Sequence, residues 1–310
     1  VKVLSEKQPE INYIEELKNI CGTVLLNEPM SLHTSFRTGG PAEVFIKAES
    51  TENIISAIDI AKKYNKQYII TGNGSNILVK DGGIDGIVIN IGNEMSKIKC
   101  DGTKIYAQAG AMLSALATAA ADEELTGLEF ASGIPGTVGG AVFMNAGAYD
   151  GEIKDVIEYA DVIDSEGNIH RLIKDELELS YRHSVIDDKN MIVVGAMFNL
   201  NKGIKKNITD KMADFAKRRR DKQPLNYPSA GSTFKRPEGY FAGKLIEDSG
   251  LKGKTVGGAQ VSEKHAGFVV NIGNATSSDI IALMDGCIET VYNKFGVKLE
   301  PEVRILGKDL

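Results

Sequence analysis

The chain has 310 residues, of which 42% are hydrophobic and 25% charged, with a formal net charge of −6. This length allows a substantial core shared among two or three domains, and the acidic balance excludes the broad basic face of a general nucleic-acid binder. No apolar run reaches the ~20 residues of a membrane span, residues 1–7 lack a signal-peptide apolar core and cleavage site, and the three cysteines and four histidines are too scattered for a disulfide framework or a metal site, so a reducing cytoplasm is expected.

Residues 10–20 read as an amphipathic helix with Ile11, Ile14 and Leu17 along one stripe. A turn at Gly39-Gly40-Pro41 leads into an alternating strand at 42–47. Thr51 is the expected N-cap of a helix carrying Ile54, Ile55, Ile58 and Ala61. Strands at 68–71 and 86–91 complete a first α+β block with the outline of a small nucleotide-binding unit. A second block has a strand at 104–108, an Ala-rich helix over 112–125, and strands at 160–164, 169–172 and 191–200, with Asp164–Gly167 as a hairpin turn. Beyond Lys202-Gly203 come a helix over 209–220, a turn-rich stretch at 224–231, and a closing helix bearing Ile280, Ile281, Met284, Ile288 and Val291. Residues 297–306 look like one or two strands that must pair elsewhere in the chain.

Two stretches carry unusual chemistry. Residues 131–149, ASGIPGTVGGAVFMNAGAY, are dense in glycine, which is costly to order, so something is expected to press against this backbone. Residues 72–76, GNGSN, follow a strand and make the same demand. They lack both the P-loop lysine and the third glycine of the dinucleotide fingerprint. They offer main-chain N–H groups beside Ser75 and Asn76, either as an anion-binding nest or as a plain turn. Ser132 to Gly140 could wrap a diphosphate, with Asn145 and Gly147 adding an amide and another bare backbone; a tightly packed glycine corner is the alternative. Together the two stretches point to a large phosphate-bearing cofactor. The basic cluster at 217–220 reads either as the solvated end of a helix or as a site for a phosphorylated ligand.

With Thr34-Ser-Phe-Arg-Thr-Gly-Gly-Pro41, Gly72–Asn76, Gly133-Ile-Pro-Gly-Thr-Val-Gly-Gly140 and Asn145-Ala-Gly147, the chain resembles the FAD-binding half of the UDP-N-acetylenolpyruvoylglucosamine reductase family. The resemblance continues through Ser180-Tyr-Arg182, Ala230-Gly-Ser-Thr-Phe-Lys235, Ala259-Gln260, His265-Ala-Gly267 and Leu299-Glu-Pro-Glu-Val-Arg304, in order and over nearly the whole chain. It implies an α+β protein: a vanillyl-alcohol-oxidase/PCMH-type FAD-binding fold of two α+β subdomains (1–92, joined by the tail 298–310, and 93–202) with a C-terminal α+β substrate-binding domain (203–297). The short connection between Arg182 and the strand near 191 resembles the shorter form of the family, without its tyrosine-bearing loop.

The implied reaction passes a hydride from NADPH to FAD and then from flavin N5 to C3 of the enolpyruvyl group of UDP-N-acetylglucosamine enolpyruvate, giving UDP-N-acetylmuramate for peptidoglycan synthesis. The resemblance makes Ser232 the proton donor to C2, Arg182 the partner of the substrate carboxylate and enolate, and Glu302 the carboxylate acting with Arg182, with Glu300 as its rival. It places Arg37, Gly39, Gly72, Asn73, Gly74, Ser75, Asn76, Ser132, Gly133, Gly136, Thr137, Gly140, Asn145 and Gly147 around FAD. No histidine in either glycine loop offers a covalent attachment, so noncovalent FAD is expected. Lys222, Lys235, Gln260 and His265 are the substrate-binding candidates, and Arg236 departs from the family's asparagine. No nucleic acid, membrane insertion or metal is expected, and a monomer is. Two rivals share the glycine loops: a flavin oxidase or dehydrogenase acting on an alcohol or hydroxy acid, which would need a base near the flavin, and a nonenzymatic module that senses a UDP-sugar.

Overall fold

A computed structural model describes residues 8–310, with the backbone alone for residues 8–12. The expectation about residues 1–7 and the side chain of Ile11 lie outside the described residues. The chain divides into two compact units: the described part of Val1–Leu26 with Val44–Asn73 and Gly86–Lys217, and Asn27–Glu43 with Gly74–Asp85 and Arg218–Leu310. These units cut across the three expected segments, because residues 27–43 and 74–85 fall in the same unit as the C-terminal part of the chain.

The first unit is built on two sheets. A four-stranded sheet has the order Thr23–Pro29, Pro41–Lys47, Ile84–Asn90, Tyr68–Thr71, and its last two strands run parallel from Tyr68↔Ile87 to Thr71↔Asn90. The helix Thr51–Lys63 buries Ile54, Ala57, Ile58 and Ala61 in the core and packs on the helix Gln8–Ile20, whose Tyr13 and Leu17 are also buried. Its N-cap is Ser50, whose side chain accepts from the Asn53 N–H at 3.2 Å. Thr51, the expected cap, is instead the first helical residue; either hydroxyl suits a cap, and the extended backbone falls at Ser50.

The second sheet of this unit is antiparallel throughout, in the order Ile169–Ile173, Ile157–Ile163, Ile192–Asn199, Lys104–Gln108, Ile98–Asp101. The Asp164–Gly167 turn closes its first hairpin, with Gly167 donating its N–H to the Asp164 carbonyl at 3.1 Å. The Ala-rich helix is shorter than expected, Leu113–Asp122, because Leu125–Thr126 pairs with Asn201–Lys202. The polar helix is longer, Lys205–Lys222, since no residue after Gly203 prevents an earlier start and Lys206 pairs with Asp210 one turn on. Tyr149 stacks on its Phe215 with ring centroids 4.5 Å apart and planes within 7°.

A further helix, Val138–Phe143, lies inside the glycine-rich stretch. Its paired glycines argue against a helix, but packing overrides propensity: a Cβ on Gly139 would stand 3.0 Å from the Cβ of Ala109. The helix therefore lies against the chain just beyond Lys104–Gln108, and the Val138 and Gly139 N–H groups donate to the Ala111 and Ala109 carbonyls, each at 2.8 Å.

The second unit centres on a small antiparallel sheet, Thr255–Val256, Ala259–Val261 and Val269–Asn271, covered by the helix Ser277–Phe295. The helix buries Ile280, Leu283, Met284, Cys287 and Val291, with Ile281 and Ile288 partly buried at the margin. Thr276 and Asp279 form a capping box at its start, and Gly296 closes its end at φ +68°, the left-handed conformation a glycine adopts freely. The tail strand Arg304–Leu306 pairs in parallel with Ile77–Val79. Phe36, Leu78, Phe234, Ile246, Leu299 and Val303 join these elements in one apolar core. Cys21 and Cys287 are buried free thiols pushed up to about 11 by desolvation, whereas Cys100 is exposed.

Asp81 ties the segment 74–85 to the long helix. Its carboxylate accepts from the Ser277 N–H at 2.8 Å, the Ser278 N–H at 3.0 Å and the Ser278 hydroxyl at 2.7 Å. Burial raises the Asp81 pKa, but the bonds from Ser277 and Ser278 outweigh it and hold the carboxyl below its ordinary value. A depressed pKa means stability that is present above the unfolded value of about 3.9 and is lost as pH falls through the folded pKa. Asp81→Asn should therefore cost about 1 kcal/mol of stability at pH 7, read as a lower melting temperature, and the difference from the parent protein should shrink as melts are taken below about pH 4.

Candidate active site

Within the first unit the two glycine stretches meet. Asn73 donates its side-chain amide to the Pro135 carbonyl at 2.7 Å, Asn90 donates to the Gly72 carbonyl at 2.8 Å, and a Cβ on Gly72 would stand 2.5 Å from Thr137 Oγ1. Ser132 donates its hydroxyl to the Glu129 carbonyl at 2.8 Å, and the Gly136 carbonyl accepts from the Leu113 N–H at 3.0 Å. Much of the glycine content is thus required by the chain's own packing. The sharpest case is Gly74 in the second unit, at φ +63°, where a Cβ would fall 1.9 Å from the His33 carbonyl oxygen. The pressing object expected there is protein.

Gly140 differs. It is exposed, a Cβ there would meet only Thr137 Oγ1 at 3.8 Å, and no side chain caps the helix that contains it. Neither Gly72–Asn76 nor 132–140 contains a carboxylate. An open glycine and a set of main-chain N–H groups and hydroxyls without negative charge fit a diphosphate, so the residues present suit the phosphate-bearing part of FAD.

Arg182 and Asn145 also belong to the first unit. Arg182 sits at the tip of a tight turn, at φ +55°, closed by the Ser180 N–H to His183 carbonyl bond of 3.1 Å and its reciprocal of 3.2 Å. Its guanidinium Nη2 donates to the Gly147 carbonyl at 3.4 Å. Asn145 was expected beside the cofactor, yet it is wholly buried and both its side-chain donors are committed within the chain, to Glu152 Oε2 at 3.0 Å and the Ser180 carbonyl at 2.9 Å.

The second unit brings the chain at Ser232, Glu302 and Asn76 together through a set of hydrogen bonds. Thr233 is 0% exposed and bonded on three sides: its N–H donates to the Gly267 carbonyl at 2.9 Å, its hydroxyl accepts from the Val269 N–H at 2.8 Å, and its carbonyl accepts from the Glu302 N–H at 2.8 Å. The Glu302 carbonyl accepts from the Asn76 amide at 3.0 Å, and Arg304 donates its N–H to the Asn76 carbonyl at 3.0 Å. Ser232 is exposed on this fixed backbone, and Glu302 is half-buried beside it. The signal of Thr233 in the sequence, a hydroxyl-bearing residue next to the candidate acid, becomes visible only once its partners are known.

The remaining candidates fall within the same unit. Arg37 is exposed at φ +55°, its N–H donating to the Thr34 carbonyl at 3.1 Å, and Gly39 stands at φ +121° against Val79. Ser35 clasps Gly74, donating its N–H to the Gly74 carbonyl at 3.1 Å. Ser75 is half-buried. Lys222 is exposed in the last turn of its helix, and Lys235 pairs with Glu300 at 3.6 Å. Glu300, the rival of Glu302, also accepts the Lys235 N–H through its carbonyl. Gln260 donates to the Gly253 carbonyl at 3.5 Å. The His265 ring packs edge-on to Phe268, its Nδ1 accepts from the Gly267 N–H at 3.1 Å, and desolvation lowers its pKa. Arg236 lies over the Phe241 ring at 4.0 Å. Among the described residues no cluster of His, Cys, Asp and Glu could hold a metal ion, and no helix is long and apolar enough to cross a membrane.

Fold and site define a flavoprotein: residues 42–173 match the family described as FAD binding domain. A 4-ethylphenol oxidase from Gulosibacter chungangensis shares the fold alone, with a TM-score of 0.50 and 17% identity over 63% of this chain and 43% of the other. Residues 223–306 match the C-terminal domain of UDP-N-acetylenolpyruvoylglucosamine reductase. Proteins with that name from Clostridium novyi and Clostridium perfringens are each 52% identical, over 99% and 92% of this chain and 97% and 94% of theirs. The crystal structure of UDP-N-acetylenolpyruvylglucosamine reductase from Thermus caldophilus superposes with a TM-score of 0.79 at 34% identity, covering 92% of this chain and 98% of that one. The chain belongs to the UDP-N-acetylenolpyruvoylglucosamine reductase family and is an FAD-dependent oxidoreductase.

Two glycine substitutions separate packing from cofactor binding. Gly74→Ala should cost on the order of 3 kcal/mol from its backbone conformation alone, read as a drop in melting temperature of the cofactor-free protein. Gly140→Ala should leave that temperature unchanged or higher, since alanine favours a helix, yet weaken FAD retention by about tenfold in equilibrium dialysis, equivalent to about 1.4 kcal/mol.

Proposed function

We infer that this chain reduces the enolpyruvyl double bond of UDP-N-acetylglucosamine enolpyruvate to give UDP-N-acetylmuramate, a step of peptidoglycan precursor synthesis. The observation that carries this reading is 52% identity to a named reductase over 99% of the chain. FAD, when bound, carries a hydride from NADPH to the substrate. Gly72–Asn76, Arg37, Gly39, Ser132, Gly133, Gly136, Thr137 and Gly140 are the residues proposed to hold it.

Hydride arrival at C3 leaves negative charge on C2 and the adjoining carboxylate. A fixed, permanently charged guanidinium suits that developing charge, and this is the task assigned to Arg182. C2 must then gain a proton. Ser232 Oγ is the proposed donor: a weak acid in water, but adequate against a carbanion when its position is fixed. The bonds at Thr233 supply the fixity, and the exposure of Ser232 lets solvent return the proton. Glu302, held by the same bonds, is the carboxylate proposed to work with Arg182. Lys222, Lys235, Gln260 and His265 are proposed to bind the UDP-sugar, and the use of a nucleotide-sugar precursor supports a cytoplasmic location. The segments 1–92 with 298–310 and 93–202 are the proposed FAD-binding subdomains, and 203–297 the proposed substrate-binding domain.

An oxidase of the same fold would need a base near the flavin, and the oxidase neighbour shares only the fold. Rapid mixing of each half-reaction tests the role of Ser232. Ser232→Ala should keep NADPH-driven flavin reduction within about twofold while slowing substrate-driven reoxidation by about 10²–10⁴-fold. Equal loss of both half-reactions would make Ser232 a structural residue and remove it from the chemistry.

A further inference from the structure

We propose that Asn145 is a positioning residue for Arg182, acting on the substrate half of the reaction through the backbone of the Ser180–His183 turn; this rests on the reading of Arg182 as the partner of the substrate carboxylate. Asn145 and Ser184 are both 0% exposed, so neither can touch a ligand. Asn145 nevertheless uses its whole amide: Nδ2 donates to the Ser180 carbonyl at 2.9 Å and to Glu152 Oε2 at 3.0 Å, while Oδ1 accepts from the Lys154 N–H at 2.9 Å. At the other end of the turn Ser184 donates its hydroxyl to the Phe143 carbonyl at 2.7 Å. The turn is stapled on both flanks to residues 143–145, and the guanidinium at its tip rests on the Gly147 carbonyl of the same segment.

These bonds hold Arg182 in a backbone conformation that a side-chain-bearing residue rarely adopts, φ +55°. Such a conformation persists where surrounding structure over-determines it, and it clusters at functional sites. The Asn145 amide is uniquely suited to the task, because its two donors face two acceptors. An aspartate there would turn both contacts repulsive and set a second carboxylate against Glu152. The Asn-Ala-Gly motif that closes the glycine-rich stretch therefore aims the arginine, whatever its other residues do for the cofactor.

The test compares Asn145→Asp, Ser184→Ala, Arg182→Lys and the double variant Arg182→Lys/Asn145→Asp as purified FAD-loaded proteins. FAD content and melting temperature are read first. Then the affinity for UDP-N-acetylglucosamine enolpyruvate is measured by calorimetry on the oxidised protein, and the two half-reactions by rapid mixing. Asn145→Asp and Ser184→Ala should keep FAD and NADPH-driven reduction, bind substrate more weakly, and slow substrate-driven reoxidation by about 10²-fold, the usual consequence of an ångström-scale misplacement. In the Arg182→Lys background Asn145→Asp should add nothing. Additive losses in the two backgrounds, or loss of FAD with substrate affinity intact, overturn the proposal. If Arg182→Lys alone leaves substrate binding and reoxidation unchanged, the reading of Arg182 fails; if only the Asn145 and Ser184 variants are silent, the failure belongs to this inference. Should Asn145→Asp not fold, Ser184→Ala decides by the same readouts.

Discussion

Thr233 is the residue on which the geometry of the second unit depends. Its N–H and hydroxyl are bonded to Gly267 and Val269 at the start of one strand, its carbonyl is bonded to Glu302 in the tail, and it is wholly buried. Removing any one bond would leave a buried polar group unsatisfied, which costs about 1–3 kcal/mol. The site inherits its order from this arrangement. Ser232 is held because its neighbour cannot move, and Glu302 is held because its own N–H is one of the three partners. The tail that carries Glu302 is fixed again further on by the parallel pairing of Arg304–Leu306 with Ile77–Val79. A serine needs such restraint to act as an acid, since its hydroxyl has no favourable pKa of its own.

The glycines divide into two groups with different causes. Gly72, Gly74 and Gly139 are bare because the chain itself comes within a few ångströms of them. Gly140 is bare toward open space. Glycine density read from sequence cannot separate these cases, because close backbone approach by protein and by ligand makes the same demand on residue type. The step from glycine to cofactor therefore rests on the family match and on Gly140, while Gly72, Gly74 and Gly139 are explained by packing.

Elements with a local physical signal were legible before the structure. The strands Tyr68–Thr71 and Lys104–Gln108 fall on the expected residues, and the last helix buries the expected apolar stripe apart from Ile281 and Ile288 at its margin. What stayed hidden was non-local. Val138–Phe143 is a helix because it packs on another part of the chain, against the propensity of its two glycines. The strands of Thr255–Val256 and Ala259–Val261 are too short to show a period. The contacts that join Asn76, Thr233 and Glu302 run between residues far apart in sequence, and most of them use main-chain atoms that every residue possesses. Composition could point to none of them; a family resemblance could name Ser232 and Glu302, but not the threonine that fixes both. Asn145 carries a different lesson. Its residue type invited a ligand role, and burial gives its amide a partner within the chain.

Family membership, the cofactor and the proposed role of the clamped serine all bear on whether the hydride reaches the enolpyruvyl group. The most direct measurement is anaerobic: the FAD-loaded protein is reduced with one equivalent of NADPH and mixed with UDP-N-acetylglucosamine enolpyruvate. Flavin absorbance should return rapidly, in proportion to the substrate added, with one UDP-N-acetylmuramate formed for each flavin reoxidised. Return of the absorbance at the same slow rate with and without substrate, or with no UDP-N-acetylmuramate formed, would contradict the account.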